Sequence, residues 1–238
     1  MMAQATLREV RAVFFDAVGT VIHPEPPAAT VYAEVGRRHG SRLSEDEIHV
    51  RFASAFCREE ERDKVAGWRT SEEREVQRWR SIVATVLDDV SDAEDAFRQL
   101  FQHFGRPSAW RCAEDVAQTL QGLRQRGLHM GLASNYDKRL RSVVAGMSGL
   151  ADVTALAISS EIGWRKPAAQ FYDVVGHVFH LSPQQVLMVG DDPVNDYEGA
   201  RKAGLQAVLF EPKEKRLSRG LPRIRRLGDV LALTFEDS

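Results

Sequence analysis

The stretch Val13-Phe14-Phe15-Asp16-Ala17-Val18-Gly19-Thr20 carries an apolar run straight into a carboxylate and a Gly-Thr turn. Short apolar runs that stop at a turn read as buried strands of a parallel sheet, and in open α/β sheets ligands gather beyond the carboxyl ends of such strands. Asp16 is thereby expected at a ligand crevice, although Asp also ends strands simply as a turn residue. Two later runs repeat the pattern: one ends in Ala133-Ser134-Asn135, the other in Gly190-Asp191-Asp192-Pro193-Val194-Asn195-Asp196. Between them, Arg165-Lys166-Pro167 sets a lysine before a proline at an expected helix start. Taken singly these are a capping hydroxyl, a solvated lysine and an acidic loop. Together, in this order, they point to one site.

The remaining pattern fits around that site. Helical and strand signatures alternate from Ala113 to Phe210, with helices expected over 113–125, 138–145, 168–179 and 197–203 and strands near Met130, Leu156–Ile158, Met188 and Ala207–Phe210. Such alternation predicts parallel strands joined by crossover helices. From Ala28 to about His103 apolar residues such as Val31, Val35, Ile48, Phe52, Phe56, Trp79 and Val83 recur at helical steps. Ser44 with Glu47 is a capping-box signature; Ser71 with Arg74 is not. Pro24, Pro26 and Pro27 form a stiff linker into this insert, and Gly105-Arg106-Pro107 marks the return. The expected organisation is a core of residues 1–22 and 106–238 interrupted by a helical insert, 23–105. A charged loop is expected over Pro212–Pro222 and a last short element over Ile224–Leu233.

These motifs resemble the haloacid dehalogenase superfamily, most of whose members are phosphatases that work through an aspartyl intermediate. The resemblance runs from Val13 to about Gly204. Its signatures fall on Asp16, Ser134, Lys166 and the Asp191–Asp196 loop, and the insert is similar to the helical cap of the family's first subclass. The stretch Thr30-Val31-Tyr32-Ala33-Glu34-Val35-Gly36-Arg37-Arg38-His39-Gly40 and the altered first motif resemble the branch named after the rhythmically expressed gene 2 product. The resemblance implies an α/β fold, a Rossmann-like parallel-sheet core with an inserted α-helical cap. It implies Asp16 as nucleophile, with Lys166 and Ser134 as its catalytic partners. Thr20, Ser134, the amide of Asn135 and Lys166 would hold the transferring group. Mg²⁺ would be bound by Asp16, Asp191 and the main-chain carbonyl of Val18, with Asp196, and Asp192 as a further acid, supporting the shell. The chemistry is coherent: a carboxylate attacking a phosphate needs nearby positive charge, and Mg²⁺ suits a few carboxylates plus substrate oxygens.

Val18 departs from the phosphatase pattern, which has a second Asp there to protonate the leaving group and activate water. Such assistance is worth about two to four orders of magnitude in rate. His23 is a possible substitute, although a histidine before Pro24 is more simply an exposed linker residue. The 2-haloacid dehalogenases also lack this Asp, because a halide leaves unprotonated; their last motif, however, lacks the extra carboxylate found here. Phosphonoacetaldehyde hydrolases lack it too and use a cap lysine; the sole candidate, Lys64, lies among Glu59, Glu60, Glu61 and Asp63, which would keep it charged. A phosphatase limited to good leaving groups, such as acyl phosphates or activated aryl esters, retains a use for every other motif residue. A catalytically weak binding module is the alternative from another class. In the cap, Arg58, Arg62, Trp68, Arg69 and Trp79 are the candidate substrate contacts, although Trp79 fits the apolar helix stripe and reads more simply as cap core.

Composition narrows the partners. The chain has 238 residues, 43% of them hydrophobic, enough for a sizeable core, and a formal net charge of −2 gives no electrostatic case for nucleic acid. Arg223, Arg225 and Arg226 read as solvated surface. Cys57 and Cys112 have no metal-ligand spacing, so a cytoplasmic setting is expected. Met1–Val10 carries no apolar core segment, so no secretory signal is expected. No run approaches the roughly 20 apolar residues that cross a bilayer. A small anionic, phosphorylated substrate is the expected partner, with neither nucleic acid nor membrane.

Overall fold

The computed structural model describes residues 9–212 and 220–233. Residues 1–8 of the expected leaderless N-terminus and 213–219 of the expected charged loop lie outside the described residues. In chain order the elements are β1 (Ala12–Phe15), β2 (Ile22–Pro24), α1 (Ala28–Arg38), α2 (Glu45–Val65), α3 (Glu72–Val86), α4 (Ala93–His103), β3 (Trp110–Cys112), α5 (Val116–Gln125), β4 (His129–Ser134) and α6 (Arg139–Ala145). There follow β5 (Ala155–Ile158), α7 (Ser159–Ile162), α8 (Ala169–His177), β6 (Val186–Gly190), a π-helical segment Pro193–Glu198 that runs into α9 (Gly199–Lys202), β7 (Gln206–Phe210), β8 (Arg223–Ile224) and α10 (Val230–Leu233).

Six strands form one parallel sheet in the order β5-β4-β1-β6-β7-β8. Because successive side chains of a strand point to opposite faces, β1 divides its residues between two cores. Val13 and Phe15 join Met130, Leu132, Leu187 and Val189 beneath α5, α6 and α10, whereas Ala12 and Phe14 join Met188, Phe171, Tyr172 and Val175 on the α8 side. Burial on both faces explains why these strands are near-continuous apolar runs. Phe15 lies opposite both Leu132 and Val189, so the chain leaves β1, β4 and β6 at one edge, where Asp16, Ser134 and Asp191 follow.

The insert builds a separate apolar cluster from α1 to α4, around Val31, Tyr32, Ile48, Ile82, Val83 and Leu100. The Ser44–Glu47 box forms: Ser44 Oγ accepts from the Glu47 amide at 3.3 Å, and Glu47 accepts from the Ser44 amide at 2.9 Å. Ser71 caps α3 from one side only, accepting from the Arg74 amide at 3.2 Å. Two expectations need correction. The linker after Thr20 is β2, paired antiparallel with β3 in a two-stranded ribbon, an arrangement hidden because its partners are about ninety positions apart. The helix expected from Tyr197 begins earlier, at Pro193, as a π-helix capped by Asp192.

Gly131 in β4 has a packing reason. A Cβ there would meet the Phe14 ring at 2.3–2.8 Å. Gly131→Ala is expected to cost about 1–3 kcal/mol through overpacking, read as a lowered urea midpoint. An unchanged midpoint would show that Phe14 does not pack against this strand.

Candidate active site

The first motif makes a tight loop after β1. The Asp16 amide donates to Val189 O at 2.8 Å, which ties the strand end to β6, and the amides of Val21 and Ile22 both return to Ala17 O. Gly19 has φ +95°, a conformation that favours glycine. A Cβ on Gly19 would also approach Asp191 Oδ2 to 3.1 Å, so the glycine lets the third-motif carboxylate lie against this loop. Gly190 does the same for Asp196, whose Oδ2 would be 2.2 Å from a Cβ at that position.

The result is a cluster of Asp16, Asp191 and Asp196, with ligand oxygens within 4.8 Å of one another. Lys166 holds it together: its Nζ donates to Asp16 Oδ1 at 2.6 Å, to Asp196 Oδ1 at 2.6 Å and to Ala133 O at 2.9 Å. The Asn135 side chain fixes the lysine's own backbone. It accepts from the Lys166 amide at 2.7 Å and donates to Lys166 O at 3.0 Å.

Burial raises the pKa of Asp16, Lys166 opposes the shift and Asp191 adds to it. Burial raises Asp196 likewise, again against Lys166. Burial alone would lower the lysine, but the two carboxylates more than offset it and hold Lys166 charged. Lys166 bridges Asp16 and Asp196 within the cluster. The donor set is all oxygen and hard, as a divalent cation such as Mg²⁺ prefers, so the residues present fit that ion.

A cavity of about 410 Å³ opens over this edge, lined by Asp16, Val18, Ser134, Asn135, Lys166, Asp191 and Asp196 among others. Thus all the expected site residues but one meet there. The exception is Thr20, which is fully buried, absent from the cavity lining, and leaves its hydroxyl without a hydrogen-bond partner. Asp192 reaches the cavity but acts as a helix cap, accepting from the amides of Val194 and Asn195 at 2.8 Å each. Val18 lies at the cavity, 38% exposed. His23 does not line it; burial and the nearby Arg111 lower its pKa.

Of the candidate cap contacts only Trp79 lines the cavity. Arg62 pairs with Glu59, Arg69 stacks on Trp164 at 4.6 Å, and the exposed Lys64 pairs with Glu61. The residues that do face the site include Tyr32, Phe52, Phe56, Phe97, Phe101 and Phe104. Their helical spacing was visible, but an apolar stripe looks the same whether it packs on a helix or walls a cavity. The insert also grips the lysine segment. Buried Arg165 pairs with Glu75 and lies 3.5 Å from Asp63, while Glu60 accepts from Asn195 Nδ2 at 3.0 Å.

A family model for haloacid dehalogenase-like hydrolases matches residues 10–204. The chain belongs to that family. It is 27% identical to the haloacid dehalogenase-like hydrolase domain-containing protein 3 of Bos taurus, over 90% of this chain and 88% of that one. It is 27% identical to the ribulose-1,5-bisphosphate 5-phosphatase of Halopiger xanaduensis, over 86% of each. The rhythmically expressed gene 2 protein of Drosophila melanogaster is 23% identical, over 87% of this chain and 85% of that one, in keeping with the expected branch. Two solved structures share the fold. The putative hydrolase YfnB of Bacillus subtilis, bound to magnesium, superposes with a TM-score of 0.73 at 18% identity, over 95% of this chain and 99% of that one. The L-2-haloacid dehalogenase of Xanthobacter autotrophicus, with chloropropionic acid covalently bound, gives 0.73 at 19% identity, over 94% and 98%.

Removing the lysine tests the electrostatics of this family member directly. Without it, two buried carboxylates lose their counter-charge, so Lys166→Met is expected to destabilise the metal-free protein by about 3–5 kcal/mol. A loss below about 1 kcal/mol in urea unfolding would contradict the clamp.

Proposed function

We propose that this hydrolase is a Mg²⁺-dependent phosphatase that acts on a small phosphorylated metabolite through an aspartyl phosphate on Asp16. The observation that carries the reading is the carboxylate cluster bridged by Lys166 at the floor of the cavity. A substrate with a permanent negative charge needs such a cation, and a divalent ion beside it. The phosphatase name of the Halopiger xanaduensis relative supports the same class. In this reading residues 1–22 and 106–238 form the core and 23–105 the cap. The chain acts in the cytoplasm, consistent with two unbridged cysteines, Cys57 and Cys112. Among the described residues no helix is long and apolar enough to cross a membrane.

Mg²⁺ held by Asp16, Asp191 and the Val18 carbonyl, with Asp196 in support, would supply positive charge opposite the phosphoryl oxygens. An Asp16 oxygen forms the bond to phosphorus while the bond to the leaving oxygen breaks. Ser134 and the Asn135 amide hold the transferring group, and Lys166 offsets charge on the attacking carboxylate. Val18 cannot give the leaving oxygen a proton, so that oxygen departs with its electron pair as an anion. Water then cleaves the aspartyl phosphate, its proton passing to the phosphate product, again without a general base at residue 18.

Dehalogenation is the second reading, favoured by Val18 and by the apolar cap wall, both of which suit a leaving group that needs no proton. The third carboxylate of the cluster favours the phosphatase.

Purified protein is expected to release phosphate from acetyl phosphate only with Mg²⁺, and Asp16→Asn to release none. Val18→Asp should raise kcat on alkyl phosphates by about 10²–10⁴. Metal-independent chloride release from 2-chloropropionate, with no phosphate release, would replace this reading with the second one.

A further inference from the structure

The cap wall of the cavity is almost wholly apolar. Phe52, Phe56, Trp79, Phe97, Phe101 and Phe104 line it, and Glu60 is the one charged cap residue that reaches it, tied to Asn195. The rings are held in place. Phe52 lies 5.5 Å edge-on from Tyr32 and 6.1 Å from Phe56, and Phe97 lies 5.2 Å from Phe101. Arginine side chains brace three of them: Arg78 over Phe56 at 4.7 Å, Arg80 over Phe97 at 4.6 Å and Arg139 over Phe101 at 3.4 Å.

Three polar side chains on this side, those of Tyr136, Trp110 and Arg139, are already occupied. Tyr136 Oη and Trp110 Nε1 both donate to Phe104 O, at 2.9 and 3.1 Å. Arg139 is engaged through Nε and Nη2 with Asp137, at 2.7 Å each, and through Nη1 with Phe101 O. A sugar phosphate would therefore bring hydroxyls against ring carbon, and a second phosphate would find no uncommitted arginine on this wall. Desolvating those groups without partners is unfavourable. A flat apolar ring suffers no such loss and can stack against the aromatic side chains.

Resting on the phosphatase reading above, we propose that the substrate is an aryl phosphate monoester. Its phosphate sits at Asp16 and Lys166, and its ring lies in the aromatic chamber. Two independent features converge on this class. The chamber selects an apolar ring, and Val18 demands a leaving oxygen that is stable as an anion, which an aryloxide is and an alkoxide is not. The step balances without an added acid: Asp16 Oδ bonds to phosphorus, the P–O(aryl) bond breaks, and the aryloxide carries away the electron pair. The chamber volume of about 410 Å³ falls within the range of small-molecule sites.

The test compares 2-naphthyl phosphate with acetyl phosphate, both with Mg²⁺ and with Asp16→Asn as blank. Acetate is the better leaving group, so a preference for the naphthyl ester reports the chamber and not leaving-group acidity. The expected result is a kcat/KM at least tenfold higher for 2-naphthyl phosphate. Phe52→Leu and, separately, Trp79→Leu should each raise its KM about fivefold or more, a clearly larger rise than either causes for acetyl phosphate. Equal or lower kcat/KM for the naphthyl ester, with both substrates turned over, overturns this inference and leaves the phosphatase reading standing. If neither substrate turns over, binding to the Mg²⁺-loaded wild-type protein decides. At least tenfold tighter binding of 2-naphthyl phosphate than of acetyl phosphate supports the ligand class while the phosphatase reading fails; equal or absent binding overturns the ligand class as well.

Discussion

The ammonium of Lys166, donating at 2.6 Å to both Asp16 and Asp196, is what allows three acids to share one buried strand edge. Buried charges are tolerated only when paired and hydrogen-bonded, and each neighbouring feature serves that pairing. Gly19 lets Asp191 lie against the loop after the first strand, and Gly190 lets Asp196 fold back on the end of β6. Asn135 fixes the lysine backbone with two hydrogen bonds, and Arg165, the preceding residue, anchors the segment to Asp63 and Glu75 of the cap. The cap is therefore joined to the same peptide that positions the lysine. A shift of α2 and α3 would pull on Arg165 and, one residue on, on the clamp.

The two halves of the cavity divide the chemistry between them. The sheet edge offers oxygen ligands and a cation, suited to an anionic group; the cap offers rings and almost no free polarity. Val18 lines the same cavity. In place of an acid it presents a branched alkyl group there. On the proposed reading the missing acid and the aromatic wall are one adaptation: a leaving group acidic enough to need no proton is also one whose ring the wall can hold.

Much of the core was legible because its signals are local. An apolar run followed by a carboxylate specifies both a strand and what stands at its tip, so Asp16, Ser134 and Asp191 could be placed on one edge from sequence, and Lys166 joined them through the resemblance. What eluded the sequence depends on long-range geometry. The β2–β3 ribbon pairs residues far apart in the chain, and its short strands have no periodicity to betray them. The resemblance set Asp196 apart from Asp192 in the dense acidic loop, but that Asp192 serves as the cap of a π-helix only the structure shows. The cap contacts misled because charge suggested an anion site, whereas Arg62 and Arg69 are engaged elsewhere and the facing surface is the apolar stripe.

The most direct test of the central claim is a rapid-quench measurement with an aryl phosphate and Mg²⁺, followed by peptide mass spectrometry of the quenched protein. Attack by Asp16 without an acid or base at residue 18 should make breakdown of the acyl phosphate the slow step. The account predicts a burst of close to one aryloxide per protein molecule and a phosphate mass on the peptide containing Asp16. Linear release from the first turnover, with no phosphate on that peptide, would contradict it.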